Sequence, residues 1–415
     1  MSDFIVTRSS QAMVLPSKPT PTNNLPLSSI DKALGMRNMM ELFQVFHAGH
    51  HPAKLIKQAL AMALVPYYPV AGRLTENHVA CTGEGVLFSE ATANCSLKDL
   101  SIDLSQPLLI PVNDLLPIID APQDLILMIQ VTEFTCGGFV VCFGYNHAVF
   151  DGFGIMNFFR AVGEIARGLE KPVIEPIWCR EIIPGPPPPP KPVAHPSSSS
   201  AIPNLHLEWS TLDVQLDKMK EGFMKETGRT CSDFDVTVAA LLQCRTRAIN
   251  PDHAQTLDFH LICPSNARPL LHELIPGYEG YYGNCTYRAL VTAPASKIMQ
   301  ASVTDIVGWI LDAKGKVSDE FWKWLGGEHS DKSIIASVCN YETIVVTDMD
   351  KLGSKDVNYG CGAPVQSGML RYSDHMVFCV VDSSLKIEGG VRITGRLVRE
   401  EHLQAFRDEM NKACN

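Results

Sequence analysis

The chain has 415 residues, which exceeds one ordinary hydrophobic core and predicts two domains of roughly 200 residues each. Its apolar content of 46% and charged content of 19% are typical of a soluble globular enzyme. The formal net charge of −10, with no long basic run, argues against a nucleic-acid or anionic-membrane surface.

The cysteines and the first residues predict a reducing, cytoplasmic compartment. None of the 13 cysteines has C-x-x-C spacing, which argues against zinc-ribbon and thioredoxin-like sites, and we expect no bound metal. Several cysteines lie in apolar runs, where reduced thiols act as small hydrophobic side chains. The first residues contain no long apolar stretch, so we expect no signal peptide, and no apolar run approaches the ~18 residues of a membrane-spanning helix.

The first half of the chain is predicted to contain two helices and two strands. Residues 53–64 have helical apolar periodicity, and residues 126–131 and 138–145 have the composition of strands. Residues 153–168 are predicted to form the second helix, with Gly168 at its C-terminal end.

A Pro- and Ser-rich stretch, residues 186–204, divides the chain near its midpoint. Consecutive prolines favour extended polyproline II, and the serines add flexibility. We interpret the stretch as a crossover linker between an N-terminal domain, residues 1–185, and a C-terminal domain, residues 205–415. A short Pro-rich ligand for a recognition module is the alternative.

The second half again mixes helices and strands. Ser232 and Asp235 have the spacing of a capping box that starts a helix. The predicted helices span residues 233–249, 296–314 and 400–412, and the predicted strands span residues 259–263, 343–346 and 376–381. The fold class is therefore mixed α/β, with two halves of similar make-up and no sequence repeat.

His147 and Asp151 form an H-x-x-x-D motif, followed by Gly152, between a predicted strand and a predicted helix. None of the other twelve histidines has an aspartate four residues later. A histidine can act as a general base near neutral pH, so an enzyme is the leading hypothesis. The pentad alone fits equally well a buried histidine that is bonded to a backbone carbonyl, with Asp151 capping the helix.

Further motifs accompany the pentad in a fixed order: residues 14–22, 67–74, 81–88, 130–132, 136–139, 266–268 and 280–284. Together with residues 147–152 they resemble the BAHD family of plant acyl-CoA-dependent acyltransferases over nearly the whole chain. The likeness is closest to the branch of benzyl alcohol benzoyltransferases and taxane acyltransferases, to which residues 177–181 contribute.

The resemblance implies two chloramphenicol-acetyltransferase-like domains, joined by a long crossover loop, with an active-site tunnel between them. His147 would lie within that tunnel. Acyl-CoA is implied as a co-substrate, with no permanently bound cofactor, and the acceptor as a small-molecule alcohol or amine. Arg268 is implied to brace Asp151 or the loop of the family's second motif. Asn284 is implied to be a turn residue or to lie near the pantetheine arm of CoA.

The second motif departs from the family's pattern. Asp-Phe-Gly-Trp-Gly corresponds here to residues 358–362, Asn-Tyr-Gly-Cys-Gly. Asn358 would lose the charge-assisted part of a bond to an arginine, for which Arg268 is the candidate, and Cys361 lacks the packing area of a tryptophan. Gly360 and Gly362 persist, and we assign them, with Asn284, to co-substrate binding.

The resulting hypothesis is a cytosolic, monomeric acyltransferase of plant specialised metabolism with His147 as the general base. It would transfer a benzoyl, another aromatic or a small acyl group from CoA to a hydroxyl. Asp151, Gly152, Arg268 and Asn358 would have structural roles. The alternatives are an N-acyltransferase, a relative that binds a small molecule without transfer, and another proton transfer through His147. Signatures of serine hydrolases, P-loop proteins, dinucleotide-binding proteins and zinc proteases are absent from the sequence.

Overall fold

The computed structural model describes residues 4–32, 36–100, 112–118, 124–183, 204–249, 257–326, 328 and 340–414. The chain divides into two compact units. The first unit consists of Met1–Gly185, Arg268–Cys285 and Lys351–Arg371, and the second of Pro186–Ala267, Thr286–Asp350 and Tyr372–Asn415.

Two segments of the C-terminal half therefore belong to the first unit, whereas the sequence analysis places them in a domain of residues 205–415. Arg268–Cys285 carries Arg268 and Asn284, and Lys351–Arg371 carries the second motif. Both segments contact the N-terminal half, the first through the pairing of Arg268 with Asp151 and the second through the pairing of Gln366–Met369 with residues 42–45. The predicted linker, residues 186–204, lies outside the described residues except for Asn204.

The described part of the first unit contains nine strands, numbered here in chain order over the whole protein. They are β1 (Val6–Val14), β2 (Asn24–Pro26), β3 (Met39–Phe46), β4 (Arg73–Leu74), β5 (His78–Ala80), β6 (Val86–Ala93), β7 (Leu127–Glu133), β8 (Phe139–Asn146) and β13 (Gln366–Met369). Six of them form one sheet in the order β1-β6-β7-β8-β3-β13, and the other three form a small sheet in the order β2-β5-β4.

Strand β8 lies inside the large sheet and delivers the histidine motif. It pairs antiparallel with β3 on one side and with β7 on the other. All eight of its residues are buried, which accounts for the continuous apolar run in the sequence. Helices α1 (Pro52–Ala63) and α2 (Gly152–Ala166) pack against each other, and α2 begins five residues after His147.

The second unit is built on another six-stranded sheet. Its strands are β9 (Leu207–Val214), β10 (Asp258–Asn266), β11 (Thr286–Pro294), β12 (Thr343–Asp348), β14 (Val377–Ser383) and β15 (Val391–Arg399), in the order β11-β10-β12-β14-β15-β9. Its helices are α3 (Asp217–Thr227), α4 (Asp233–Ile249), α5 (Ala295–Gln300), α6 (Val303–Leu325) and α7 (Glu400–Cys414). Helix α4 is buried along most of its length and packs against α6 and α7. No helix within the described ranges is both long enough and apolar enough to cross a membrane.

The mixed α/β class and most predicted elements are confirmed to within a few residues, and the capping box of Ser232 and Asp235 is present. The prediction of one helix over residues 296–314 is wrong. Helix α5 ends at Gln300, and Ser302 is extended with φ −76° and ψ 159°. Ser302 and Asp305 form a second capping box, so α6 starts as a separate helix.

Candidate active site

His147 lies directly after β8, where the chain turns before α2. The amide of Val149 donates to the carbonyl of Asn146 at 3.0 Å and closes this turn. Residues 148–150 are fully buried, whereas His147 is partly exposed. The loop therefore presents one imidazole out of a segment that is otherwise packed into the interior.

Asn284 contacts the ring of His147. Its Oδ1 lies 3.0 Å from Nδ1 of His147. Its Nδ2 donates to the main-chain carbonyl of His147 at 2.7 Å and to Oδ1 of Asp31 at 2.8 Å. These two oxygens fix the orientation of the amide, so Oδ1 faces the ring and is placed to accept a hydrogen bond from Nδ1. No hydrogen bond among the described residues involves Nε2.

A buried ion pair lies next to this amide. Nη1 of Arg180 lies 2.6 Å from Oδ2 of Asp31, and both side chains are 0% exposed. The amide of Ser28 donates to the same carboxylate oxygen at 2.8 Å. Arg180 also donates to the main-chain carbonyls of Ala148 and Val149. Burial alone would lower the pKa of Arg180, but the attraction and hydrogen bond of Asp31, together with Tyr281 and Tyr282, outweigh that effect and the pKa is raised.

Asp151 forms a second buried ion pair, with Arg268. Its Oδ1 and Oδ2 accept from Nη2 and Nη1 of Arg268 at 2.6 and 3.0 Å. They also accept from the amides of Gly154, at the start of α2, and of Cys285, at 2.8 and 2.9 Å. Of the two partners implied for Arg268, the structure shows Asp151. The carboxylate therefore ties the start of α2 to the distant segment that contains Arg268 and Cys285.

Arg268 extends this bracing towards Asn284. Its Nε donates to the carbonyl of Tyr281 at 2.7 Å, and its Nη2 donates to the carbonyl of Gly283 at 2.6 Å. Burial alone would lower the pKa of Arg268, but Asp151 outweighs that effect and the pKa is raised. One guanidinium thus fixes the start of α2 and the segment that ends at Asn284.

Gly154 is the glycine that this packing requires. A Cβ at position 154 would lie 2.1 Å from the carbonyl oxygen of Tyr282, so the start of α2 could not approach this segment with a larger residue. Gly152, which the sequence analysis singled out, is less constrained. A Cβ there would lie 3.0 Å from the side chain of Leu352.

The second-motif loop, residues 358–362, is closed by the side chain of Asn358. Its Oδ1 accepts from the amides of Gly360 and Gly362 at 2.8 and 3.0 Å. Both bonds need only an oxygen acceptor, so an amide can take the place of a carboxylate. The two glycines have φ of +100° and +92°, which glycine adopts without strain. Arg167 donates to the main-chain carbonyl of Asn358, while Arg268, the candidate partner, pairs with Asp151.

The residues that differ from the family's second motif leave no void in the protein interior. Tyr359 is buried and its ring centroid lies 5.3 Å from that of Phe46. Cys361 is exposed, so a small side chain leaves no buried void there. Helix α2 lies against the loop, because a Cβ on Gly163 would come within 2.6 Å of the carbonyl oxygen of Asn358.

Asp31 and Arg180 are the site residues that the sequence analysis missed. Ser28 and Asp31 have the same Ser-x-x-Asp spacing as the two capping boxes, and the amide of Asp31 donates to Oγ of Ser28 at 3.2 Å. This spacing was the available signal for Asp31. Nothing in the sequence marked Arg180 as its partner.

The arrangement is suited to acid–base chemistry by one imidazole. Nδ1 of His147 is hydrogen-bonded to Asn284, and the ring is partly exposed beside two buried ion pairs. The described residues contain no group of three or more His, Cys, Asp or Glu side chains that could hold a metal ion. Fold and site together are those of a mixed α/β protein that presents one histidine placed for proton transfer.

Comparison with known proteins gives the family. A family model described as "Transferase family" matches residues 4–413. The chain is 38% identical to the myricetin 3-O-glucosyl 1,2-rhamnoside 6'-O-caffeoyltransferase AT2 of Crocosmia x crocosmiiflora, over 98% of this chain and 99% of the relative. It is 31% identical to the benzyl alcohol O-benzoyltransferase of Nicotiana tabacum, over 88% of this chain and 83% of the relative. The chain belongs to this family, the BAHD acyltransferases, and is an acyltransferase of class EC 2.3.1.

Solved structures show the same fold. Vinorine synthase superimposes with a TM-score of 0.77 at 18% identity, over 99% of both chains. TRI101 of F. sporotrichioides, solved with coenzyme A and T-2, gives a TM-score of 0.66 at 12% identity, over 94% of this chain and 98% of the other. These likenesses confirm the predicted architecture of two sheet-based domains.

Proposed function

We propose that the protein transfers an acyl group from acyl-CoA to a hydroxyl of a plant specialised metabolite, with His147 as the general base. The observation that carries this proposal is the hydrogen bond between Nδ1 of His147 and Oδ1 of Asn284. It leaves the lone pair of Nε2 for a substrate proton, on a ring that is partly exposed.

The reaction needs little further machinery, because a thioester is already activated. Nε2 of His147 takes the hydroxyl proton while the hydroxyl oxygen attacks the thioester carbonyl carbon. The tetrahedral intermediate then collapses, the C–S bond breaks, and an ester forms. The imidazolium returns the proton to the departing CoA thiolate, so the enzyme ends in its starting state. Acyl-CoA is a co-substrate in this scheme, and no covalent enzyme intermediate forms.

The remaining site residues are proposed to position rather than to react. Asp151 and Arg268 hold the backbone around His147. The side-chain hydrogens of Asn284 are both donated within the protein, so we propose a role in holding His147 instead of binding co-substrate. The amides of Gly360 and Gly362 are likewise engaged by Asn358, and we propose that these glycines shape the second-motif loop.

The donor is proposed to be an aromatic acyl-CoA. The caffeoyltransferase and the benzoyltransferase that resemble this chain both carry an aromatic acyl group in their names. Both names also specify transfer to oxygen, which supports an alcohol rather than an amine as the acceptor.

The test is release of free thiol by the purified protein. Benzoyl-, caffeoyl- and acetyl-CoA are each combined with pooled plant alcohols and, separately, with pooled amines. We expect release that requires an acceptor, is fastest with an aromatic donor and occurs with the alcohol pool. His147→Ala should lower kcat by about 10²- to 10⁴-fold while the circular dichroism spectrum is unchanged. A fully active His147→Ala variant would exclude the base role, and release with amines alone would indicate N-acylation.

Binding without transfer is the opposing function, and its only support was the altered second motif. Because Asn358 makes both loop-closing bonds, the alteration leaves the loop intact and this support weakens. Binding of a CoA ester with no thiol release from any donor and acceptor pair would restore it.

A further inference from the structure

A continuous chain of polar contacts runs from a buried charge to the proposed base. It begins at Arg180, passes through Asp31 and Asn284, and ends at Nδ1 of His147, with contacts of 2.6, 2.8 and 3.0 Å. Arg180 and Asp31 have no exposed side-chain surface, so neither is placed to touch a substrate. Asp31 reaches the ring of His147 through Asn284, whereas Arg180 also reaches the loop through the carbonyls of Ala148 and Val149.

The carboxylate of Asp31 decides which way the amide of Asn284 faces. An ionised carboxylate only accepts hydrogen bonds, so the atom of Asn284 that faces it must be Nδ2. A rotated amide would place Oδ1 of Asn284 against two oxygens, that of Asp31 and the main-chain carbonyl of His147. The bond to a charged acceptor is the stronger of the two, so Asp31 contributes most to this choice.

We propose that Asp31 is a positioning residue that holds His147 in the tautomer with hydrogen on Nδ1, acting through Asn284. Arg180 pairs with Asp31, and it also binds the main-chain carbonyls of Ala148 and Val149 beside the histidine. The consequence for the reaction rests on the proposed function, in which Nε2 of His147 receives the substrate proton.

The variant Asp31→Asn should reverse the donor and acceptor roles in the hydrogen bonds that join residue 31, Asn284 and His147. Ser28 and Arg180 both donate to Oδ2 of Asp31, so the amide oxygen of an asparagine at position 31 would occupy that place. Its NH₂ group would then face Asn284 and favour a rotated amide that offers Oδ1, opposed only by the main-chain carbonyl of His147. The NH₂ group of Asn284 would in turn face Nδ1 of His147 and favour hydrogen on Nε2, which cannot accept a proton.

The tautomer is measured directly by ¹⁵N NMR on protein labelled at histidine, with the His147 signals identified by their loss in His147→Ala. We expect a protonated Nδ1 and an unprotonated Nε2 in the wild type, and a mixture or reversal in Asp31→Asn. The turnover number should fall by about 10- to 100-fold in Asp31→Asn, as for other residues that orient a reacting group, while KM for acyl-CoA stays close to wild type. Asp151→Asn is the matched control, since Asp151 binds backbone and Arg268, and it should leave the tautomer unchanged.

A second variant guards against loss of folding. Asp31→Asn alone leaves the buried charge of Arg180 uncompensated, which destabilises proteins, whereas Asp31→Asn combined with Arg180→Met removes both charges. We expect the double variant to melt at a higher temperature than Asp31→Asn and still to show the altered tautomer and low turnover number. An unchanged tautomer in both variants, or turnover that recovers together with stability, would overturn the proposal. If His147→Ala proves active, the base role fails, but the NMR measurement still decides whether Asp31 sets the tautomer.

Discussion

The two buried ion pairs beside His147 each join an arginine to an aspartate, but the two aspartates bind different kinds of groups around the histidine. In each, an arginine with a raised pKa pairs with an aspartate at 2.6 Å, and no side chain of either pair is more than 4% exposed. Asp151 makes no hydrogen bond with the imidazole and accepts from the amides of Gly154 and Cys285. Asp31 instead accepts from the side chain of Asn284, which touches the ring.

This difference separates two kinds of support for one reacting group. The pair of Asp151 and Arg268 fixes where the backbone lies, because its partners are main-chain atoms and a helix start. The pair of Asp31 and Arg180 fixes the state of a side chain as well, because an amide transmits the direction of its hydrogen bonds. Removing the first pair should therefore act mainly on stability, and removing the second on turnover.

The largest expected effect is that of Asp151→Ala on stability. It leaves the guanidinium of Arg268 buried without its counter-ion and removes the cap of α2. We expect a loss of about 3–5 kcal/mol in the free energy of unfolding, measured by urea denaturation. Asp151→Asn keeps an acceptor for Gly154 and should fall between the variant and the wild type. A loss below about 1 kcal/mol for Asp151→Ala would show that the pair does not hold the loop.

The next effect is on turnover, in Asn284→Leu. This change removes the acceptor at Nδ1 of His147, and we expect kcat to fall by about 10- to 100-fold in the thiol-release assay. The double variant His147→Ala/Asn284→Leu should lose no more than His147→Ala alone, because the two residues act as one unit. Losses that add in the double variant would mean that Asn284 acts independently of the imidazole.

The sequence predicted the parts of the site that lie close together in the chain. His147 and Asp151 are four residues apart on a strand-to-helix turn, and a helix start favours an aspartate cap, so both could be placed from local pattern alone. The resemblance to a family then brought Arg268 and Asn284 into consideration. Asp31 and Arg180 come from turns far apart in sequence, and no spacing rule connects them.

The fold, like the site, could be predicted only in part from the sequence. Buried strands with continuous apolar runs, such as β8, were found, whereas strands with polar or mixed sequences, such as β1 and β9, were not. The pairing of β13 with β3 joins residues more than 300 positions apart. Such pairing depends on three-dimensional packing and leaves no local trace, so the assignment of residues 351–371 to the first unit came from the structure.

A smaller effect on stability is expected at the second-motif loop. This loop is closed by hydrogen bonds to the neutral side chain of Asn358 instead of by a buried ion pair. Asn358→Ala removes the acceptor for the amides of Gly360 and Gly362 and should cost about 1–2 kcal/mol of unfolding free energy. Asn358→Asp keeps both bonds and should be at least as stable as the wild type, because a charged acceptor strengthens them. Thermal melting of the two variants side by side is the measurement. Equal losses in both would mean that the loop depends on the NH₂ group of Asn358.

The smallest effect is expected where an ion pair reaches solvent, at Asp235 and Lys314 of the second unit. Lys314 is 27% exposed, so Lys314→Met should cost no more than about 1 kcal/mol of unfolding free energy. Burial raises the pKa of Asp235, but bonds from Lys314 and Ser232 outweigh it and the pKa is lowered. A carboxyl with a lowered folded pKa stabilises above its unfolded value, near 3.9, and this contribution is lost as the pH falls through the folded value.

The stability difference between Lys314→Met and the wild type should therefore be present at about pH 7 and shrink towards about pH 3. Urea midpoints at the two pH values measure it, with Lys314→Arg as the control that keeps the charge. A difference that is the same at both pH values would show that Lys314 contributes through its contact with Phe234, whose ring centroid lies 4.9 Å from Nζ, instead of through Asp235. The arginines of the site differ in this respect. Their pKa values are raised above an already high ordinary value, so the stability they contribute is lost only as the pH rises through those values.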